Sequence, residues 1–172
     1  MALTLNGSNN TIGGLAVGGL PDGVVQIADL GATSGKIGPT LQTVTSVKTD
    51  VASASVNRNS DWVGHGLSVS ITPSSASNKI LIFGQVTVGS GINDGISLSI
   101  FKDSSVLAGA TGDADSQRKR QTAGAEIDYD FAVTTIPFHY IDTAGGTSSI
   151  TYQPAFNISN SGSYTVYLNR TG

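Results

Sequence analysis

The stretch GLSVSITPSSASNKILIFGQVTV, residues 66–88, decides the fold class. Leu67, Val69 and Ile71 alternate with polar residues, and a second apolar run occupies residues 80–88. Successive side chains of a strand point to opposite faces, so alternation with a period of two indicates half-buried strands. We therefore predict one strand that ends near Ile71 and a returning strand over residues 80–88.

Similar patterns occur along the rest of the chain, separated by Gly, Pro, Asn and Ser clusters that are typical of turns. They predict a first strand over residues 41–49, a polar loop over residues 112–125 and five further strand segments. Those segments are ISLSIF (96–101), VLAGA (106–110), IDYDFAVTTIPFHYID (127–142), SSITYQPAFNIS (148–159) and SYTVYLN (163–169). About eight strands without βαβ alternation predict an all-β, antiparallel, jelly-roll-like sandwich.

The composition agrees with this fold and excludes several functions. Charged residues make up 12% of the chain, against a typical ~25%, and 22 of its 172 residues are Gly. A formal net charge of −3 provides no general attraction to phosphates, so we expect no nucleic-acid partner. The absence of Cys rules out disulfides and thiolate metal sites. We expect no cofactor.

The first 40 residues differ from the rest of the chain because they show no sustained periodicity. We predict an extended, Gly-rich attachment and oligomerisation segment over residues 1–40, followed by the sandwich domain over residues 41–172. The alternative is a mobile tail or an irregular wrap on the chain's own domain. The candidate assembly residues are Leu3, Leu5, Ile12, Leu15, Val17, Leu20, Val24, Val25, Ile27 and Leu30.

The amino-terminal segment does not resemble a targeting or membrane sequence. The first Lys is Lys36, and polar residues interrupt every apolar cluster, so no signal peptide is expected. No apolar run approaches the ~18 residues that a spanning helix needs, and we expect no membrane insertion.

Residues with catalytic or metal-binding chemistry are few. His65 and His139 lie in different predicted strands and have no second His at ligand spacing, which favours structural or surface roles. GATSGKIG, residues 31–38, departs from the spacing of a phosphate-binding loop. We therefore expect no catalytic residue and no metal.

An acidic set, Glu126, Asp128 and Asp130, would share one face of a continuous strand. Three carboxylates could bind calcium, but a solvated face or one paired with the basic residues 118–120 is the favoured interpretation. A carbohydrate-active enzyme would need two carboxylates on one cleft, about 5–9.5 Å apart. Candidates are Asp113, Asp115, Glu126 and Asp128.

Three segments, GLSVSITPSSASNKILI, HYIDTAGGTSSITYQPAF and YTVYLNRTG, resemble a β-rich module of virion proteins of tailed bacteriophages, especially marine and cyanobacterial phages. The module occurs in tail fibres and related appendages, and the MALTLNG start is similar to the start of such proteins. The resemblance covers roughly residues 41–172. It implies a structural role in a virion, commonly as a homotrimer around a threefold axis.

The resemblance implies a non-enzymatic short fibre or spike that presents its sandwich for host-surface attachment. Its partners would be copies of itself, other virion proteins of the tail, portal vertex or capsid, and a host polysaccharide or outer-membrane component. One alternative is a capsid or tail decoration (cement) protein that stabilises the particle. Another is a carbohydrate-binding or carbohydrate-active protein.

If the domain presents a receptor-binding surface, loops at one end of the sandwich are the expected contact points. Some of the aromatic side chains could also stack on sugars, although most fit core positions. The receptor-contact candidates are Asn57, Arg58, Asn59, Asp61, Trp62, Asn93, Asp94, Asp113, Asp115, Arg118, Lys119 and Arg120.

Overall fold

A computed structural model describes residues 4–6, 11–13, 40–59, 62–91, 93–116, 119–129 and 131–172, and the chain divides into the compact units Met1–Thr43 and Val44–Gly172. In the first unit, β1 (Thr4–Asn6) pairs antiparallel with β2 (Thr11–Gly13). Leu5 stands opposite Ile12 in this pair. The other eight candidate assembly residues lie outside the described residues.

The described part of the second unit consists of antiparallel strands and one short 3₁₀ helix, Ala108–Ala110. The strands are β3 (Ala52–Val56), β4 (Val63–Gly64), β5 (Val69–Ile71), β6 (Lys79–Ser90), β7 (Asp94–Lys102), β8 (Ser105–Val106), β9 (Ala123–Ile127), β10 (Val133–Thr143), β11 (Ile150–Ile158) and β12 (Tyr164–Leu168). No helix in the described ranges is long and apolar enough to cross a membrane.

Two sheets face each other. Sheet 1 has the order β10-β6-β12-β3. In sheet 2, β11 and β7 form the centre, β4 and β5 pair with the outer edge of β11, and β8 and β9 pair with the outer edge of β7. Each sheet therefore has four strand positions, and the chain crosses repeatedly from one sheet to the other. This is the strand order of a jelly roll, which confirms the predicted all-β, antiparallel sandwich.

The core lies between the sheets and follows the period of two. Sheet 1 contributes Val88 and Ile136, and sheet 2 contributes Leu98 and Phe156, all almost completely buried. Burying each such side chain contributes about 1.5–3 kcal/mol. Gly84 makes room for this layer, because a Cβ there would meet the ring of Phe138 at 2.9 Å.

The prediction of a first strand over residues 41–49 was wrong. The structure has no strand there, and residues 40–47 are exposed. The apolar residues Leu41, Val44 and Val47 recur every three positions, so an extended chain cannot place them all on one face. The strand begins instead at Ala52, where the sequence ASASV alternates cleanly between half-buried and exposed positions.

Other details also differ from the sequence predictions. The predicted strand segment 106–110 was wrong, because β8 ends at Val106 and Ala108–Ala110 form the 3₁₀ helix. The segment that ends at Ile71 does not form a hairpin with the next one, because β5 pairs with β11 in sheet 2 and β6 pairs in sheet 1. The predicted loop ends earlier, because β9 begins at Ala123, and the predicted strand over residues 127–142 breaks between Ile127 and Val133. The reason is that the chain changes sheets at that point.

Candidate functional site

The described residues contain no group of three His, Asp or Glu side chains that could hold a metal ion. The calcium hypothesis for Glu126, Asp128 and Asp130 was based on one continuous strand, and that basis was wrong. β9 ends at Ile127, so Asp128 lies in the following connection, and Asp130 is outside the described residues.

The two histidines occupy opposite environments. His65 is buried, and its Nε2 lies 3.1 Å from the carbonyl oxygen of Val166, to which it donates a hydrogen bond. Its ring meets Phe156 edge-on, with centroids 4.9 Å apart. Burial lowers the pKa of His65, so it is a neutral part of the core at neutral pH. His139 is exposed on the outward face of β10.

The strongest polar cluster joins the two sheets. Asp142 Oδ2 accepts hydrogen bonds from Lys102 Nζ and from the Tyr152 hydroxyl, each at 2.7 Å. Burial opposes ionisation of Asp142, but Lys102 and Tyr152 outweigh it and hold the pKa of Asp142 below its usual value. Burial, followed by the bond to Asp142, raises the pKa of Tyr152, which stays protonated. Every group has a structural partner, so the cluster is a link between the sheets.

One end of the sandwich, the loop end, collects four connections. The strand directions place their described residues there, namely 57–59, 62, 91, 93, 128–129, 131–132 and 159–163. Two hydrogen bonds tie these connections to their neighbours, Arg58 N to Asn160 O at 2.8 Å and Ser159 N to Gly95 O at 3.0 Å.

The receptor-contact candidates fall in three groups along the sequence, and the loop end contains two of them, the group from Asn57 to Trp62 and the pair Asn93 and Asp94. Asn59 N donates to Asn57 Oδ1 at 2.8 Å, which closes an Asx turn, and Asn93 is exposed. Asp94 belongs to β7 and is half-buried, with its Oδ1 accepting from Gly95 N at 2.7 Å. Asp61 lies outside the described residues.

The third predicted loop, which contains Asp113, Asp115, Lys119 and Arg120, takes a different path. It returns to the β7 edge of sheet 2, where Thr122 N donates to Leu98 O at 2.8 Å. Lys119 Nζ nevertheless lies 5.9 Å from the ring centroid of Trp62, which precedes β4 at the opposite edge. The loop therefore crosses the outer face of sheet 2.

This crossing determines which of the receptor-contact candidates lie close to one another. Trp62 and Lys119 come together, whereas Arg120 Nε donates to Gly112 O at 2.6 Å within the loop itself. Asp113 and Asp115 are exposed. Arg118 lies outside the described residues.

Sequence reasoning missed two exposed aromatic side chains at the loop end. Tyr129 and Phe131 are 75% and 71% exposed, in the connection between β9 and β10. Ala132 N donates to Tyr129 O at 3.1 Å, which closes a turn, and we name its described residues, Tyr129, Phe131 and Ala132, the aromatic turn. A sequence signal existed, because Asp128 and Asp130 flank Tyr129 and Asp is typical of turns.

Sequence reasoning also missed the outward face of β6 and β10, which we name the open face. Leu81, Phe83 and Ile141 are 59%, 76% and 60% exposed on it. In the strand register, Leu81 stands opposite Ile141 and Phe83 opposite His139. The run ILIF, residues 80–83, carried the signal, because four consecutive apolar residues make both faces of a strand apolar.

The open face has almost no charge. Its other members are Gln85, Thr87, Gly89, Val133, Thr135, Pro137, Thr143 and Lys79. Lys79 is the one permanently charged side chain of this set, and its Nζ donates to Thr143 Oγ1 at 2.7 Å. A single fixed charge at the far end leaves the centre of the face free of charge repulsion towards a neighbouring protein.

Comparison with protein-family models gives no match, and comparison with curated proteins finds no significant relative.

Proposed function

We propose that this chain is a non-enzymatic structural protein of a tailed-bacteriophage virion, a short fibre or spike subunit. Three copies associate through the open face, and the loop end is presented to the host surface. The observation that carries the proposal is the exposure of Leu81, Phe83 and Ile141 side by side on neighbouring strands. The phage assignment itself is supported by the sequence resemblance described above.

A contiguous apolar patch on a soluble protein is typical of an interaction surface. Replacing water around Phe83 and Leu81 with protein would contribute about 25 cal/mol per Å² of apolar area. Three copies can direct the same face towards a common axis, and an uncharged centre lets identical surfaces meet without repulsion.

The size of the open face indicates that other residues contribute to assembly. The β6–β10 ladder pairs Lys79–Gly89 with Val133–Thr143, which at ~3.4 Å per residue makes a ribbon roughly 37 Å long. Two strands are about 10 Å wide, so the ribbon offers roughly half of the ~800 Å² that each partner buries in a standard interface. The apolar amino-terminal segment is our candidate for the remainder.

The test is the native mass of the full-length protein by light scattering, with sedimentation to measure dissociation. We expect three times the chain mass of 17.5 kDa. Phe83→Ser with Leu81→Ser should raise the dissociation constant at least tenfold, because both side chains would be buried in the interface. Val106→Ser removes an exposed apolar side chain from β8 and should leave the mass unchanged.

Attachment is tested separately, by the binding of purified trimer to host cells and its competition with phage adsorption. A wild-type protein that stays monomeric at high concentration would overturn the trimer. If that monomer bound purified virions through the open face, the decoration protein would replace the fibre as the proposed function.

A further inference from the structure

The aromatic turn combines exposure with backbone strain. Phe131 has a φ of 69°, in the left-handed region, although it is a bulky residue. The third position of such a turn favours Gly or Asn, and a large side chain there is unusual. The turn therefore holds the Phe131 ring out in water at a cost in backbone energy, and strain of this kind is concentrated at functional positions.

The strand register places two exposed polar residues near the aromatic turn. Ile127 stands opposite Asp94 and Val133 opposite Gly89, so the aromatic turn runs alongside the connection between β6 and β7. That connection carries the exposed Asn93, and Asp128 is exposed at the start of the turn. Two outward rings are thus accompanied by a carboxamide and a carboxylate.

We infer that the aromatic turn is a binding site for a neutral sugar ring, an inference that rests on the proposed host-attachment function. The C–H groups of a pyranose pack on an aromatic face, and carboxylate and carboxamide oxygens accept hydrogen bonds from its hydroxyls. The hydrogen bond from Ala132 N to Tyr129 O closes the turn before any ligand binds, which limits the ordering entropy that binding costs. Asp128 beside Tyr129 disfavours an anionic lipid surface as the ligand.

The first experiment exposes the full-length protein to a printed array of neutral oligosaccharides that includes cellohexaose, maltohexaose, laminarihexaose and mannohexaose. The strongest binder is then titrated into ¹⁵N-labelled protein. We expect its addition to shift the amide signals of Asn93, Asp128 and Tyr129.

Three variants locate the site. Tyr129→Ala and Phe131→Gly should each raise the dissociation constant for the sugar at least tenfold. Val47→Ala is the control, because Val47 is 84% exposed but lies outside both the loop end and the open face, and it should change sugar affinity less than twofold.

Phe131→Gly also separates binding from folding. Gly adopts positive φ without strain, so this variant should melt about 2–4 °C above the wild type while losing sugar affinity. A weaker sugar affinity in this variant therefore cannot be attributed to unfolding.

The inference is overturned if no oligosaccharide binds, or if Tyr129→Ala and Phe131→Gly bind as well as the wild type. Binding to phosphatidylcholine vesicles without any sugar binding would also overturn it, in favour of a lipid ligand. Trimeric variants that adsorb to host cells like the wild type would defeat this inference and leave the proposed function standing. Sugar binding by a monomer that attaches to neither cells nor virions would defeat the proposed function alone.

Discussion

The outer faces of the two sheets are built in opposite ways. On sheet 2, the outward residues Ser97, Ser99, Ala155 and Asn157 are small or polar, yet all four are buried. On sheet 1, the open face carries Leu81, Phe83 and Ile141, which are large and apolar and yet exposed. We name the four sheet 2 residues the covered face.

The side chains of the covered face are small because a loop lies across them. The described residues of this loop, 111–116 and 119–121, run from the β7 edge towards Trp62 at the β4 edge, and only short side chains let a backbone approach a sheet closely. Asn157 Oδ1 accepts a hydrogen bond from Ile158 N at 2.8 Å, so this buried polar group has a partner. The open face has large side chains because nothing in the described part of the chain fills the space above its centre. The comparison teaches that side-chain size on an outer face reports what packs on it.

The largest expected effect comes from giving the covered face a side chain of open-face size. Ala155→Leu places three additional carbons where no space remains, and overpacking of this kind costs up to about 3 kcal/mol of unfolding free energy. Urea-induced unfolding measures it. Thr135→Leu, on the open face, should change stability by less than about 0.5 kcal/mol. Equal costs at the two positions would contradict the comparison.

A smaller effect is expected where the open face is itself partly covered. Asn169 N donates to Thr87 O at 2.9 Å, and the residues after it pass over Gly89, whose Cβ position would touch Arg170 O and lie 3.1 Å from Thr171 Cα. Gly89→Ala should displace the residues that follow Asn169, which we call the tail, and lower the unfolding free energy by about 1–2 kcal/mol.

Gly91→Ala is the control for that experiment, because a Cβ there meets no atom within 4 Å. It should be neutral within about 0.5 kcal/mol. Increased cleavage after Arg170 by trypsin in Gly89→Ala alone would show that the tail has left the surface. A tail equally protected in both variants would refute the packing argument.

The buried His65 sharpens the comparison through pH. The folded state lowers the pKa of His65 below its usual value near 6.5, so the unfolded chain binds the proton more readily. The contribution of neutral His65 to the free energy of unfolding is complete above about pH 6.5 and is lost as the pH falls through the folded pKa. The urea midpoint should therefore drop on acidification. His65→Gln should flatten this part of the profile.

The smallest effect on monomer stability is expected at the edge of the open face. β10 is the outer strand of sheet 1, and Pro137 stands opposite Gln85 near its middle. Pro has no N–H, so it fits where the backbone points away from β6, and it interrupts the row of free donors on the edge. Pro137→Val should change the unfolding free energy by less than about 0.5 kcal/mol but accelerate fibrillar aggregation, measured by light scattering and thioflavin fluorescence. Unchanged aggregation would show that the edge is protected by other means.

Much of the fold could be predicted from the sequence because burial on one side leaves a period of two. Residues 80–88, 96–101 and 150–158 show that period or a long apolar run, and all of them are strands. The predictions that were wrong concern segments in which the sequence has no period of two. The spacing of three in residues 41–47 fits neither face of a strand, and the change of sheet after Ile127 is a tertiary event without a local period.

Less of the candidate site could be predicted. Polarity and position between predicted strands identified Asn57, Asn93 and Trp62 as loop residues, and the strand directions place their connections at one end. Polarity cannot identify an exposed apolar side chain, because Phe83 in a strand looks like a core residue until its neighbours are known. Phe131 was missed for the same reason.

The position of β12 has a consequence for how the molecule reaches its native state. β3 pairs only with β12 among the described strands, and β12 is the last of them in the sequence. Sheet 1 therefore cannot be completed until more than a hundred intervening residues have been synthesised and ordered. Contacts so distant in sequence slow folding, because the loop entropy is lost before the contact forms. We expect β3 to remain unpaired on the ribosome and to join the sheet as a late event, after the β6–β10 ribbon and its apolar outer surface have already formed.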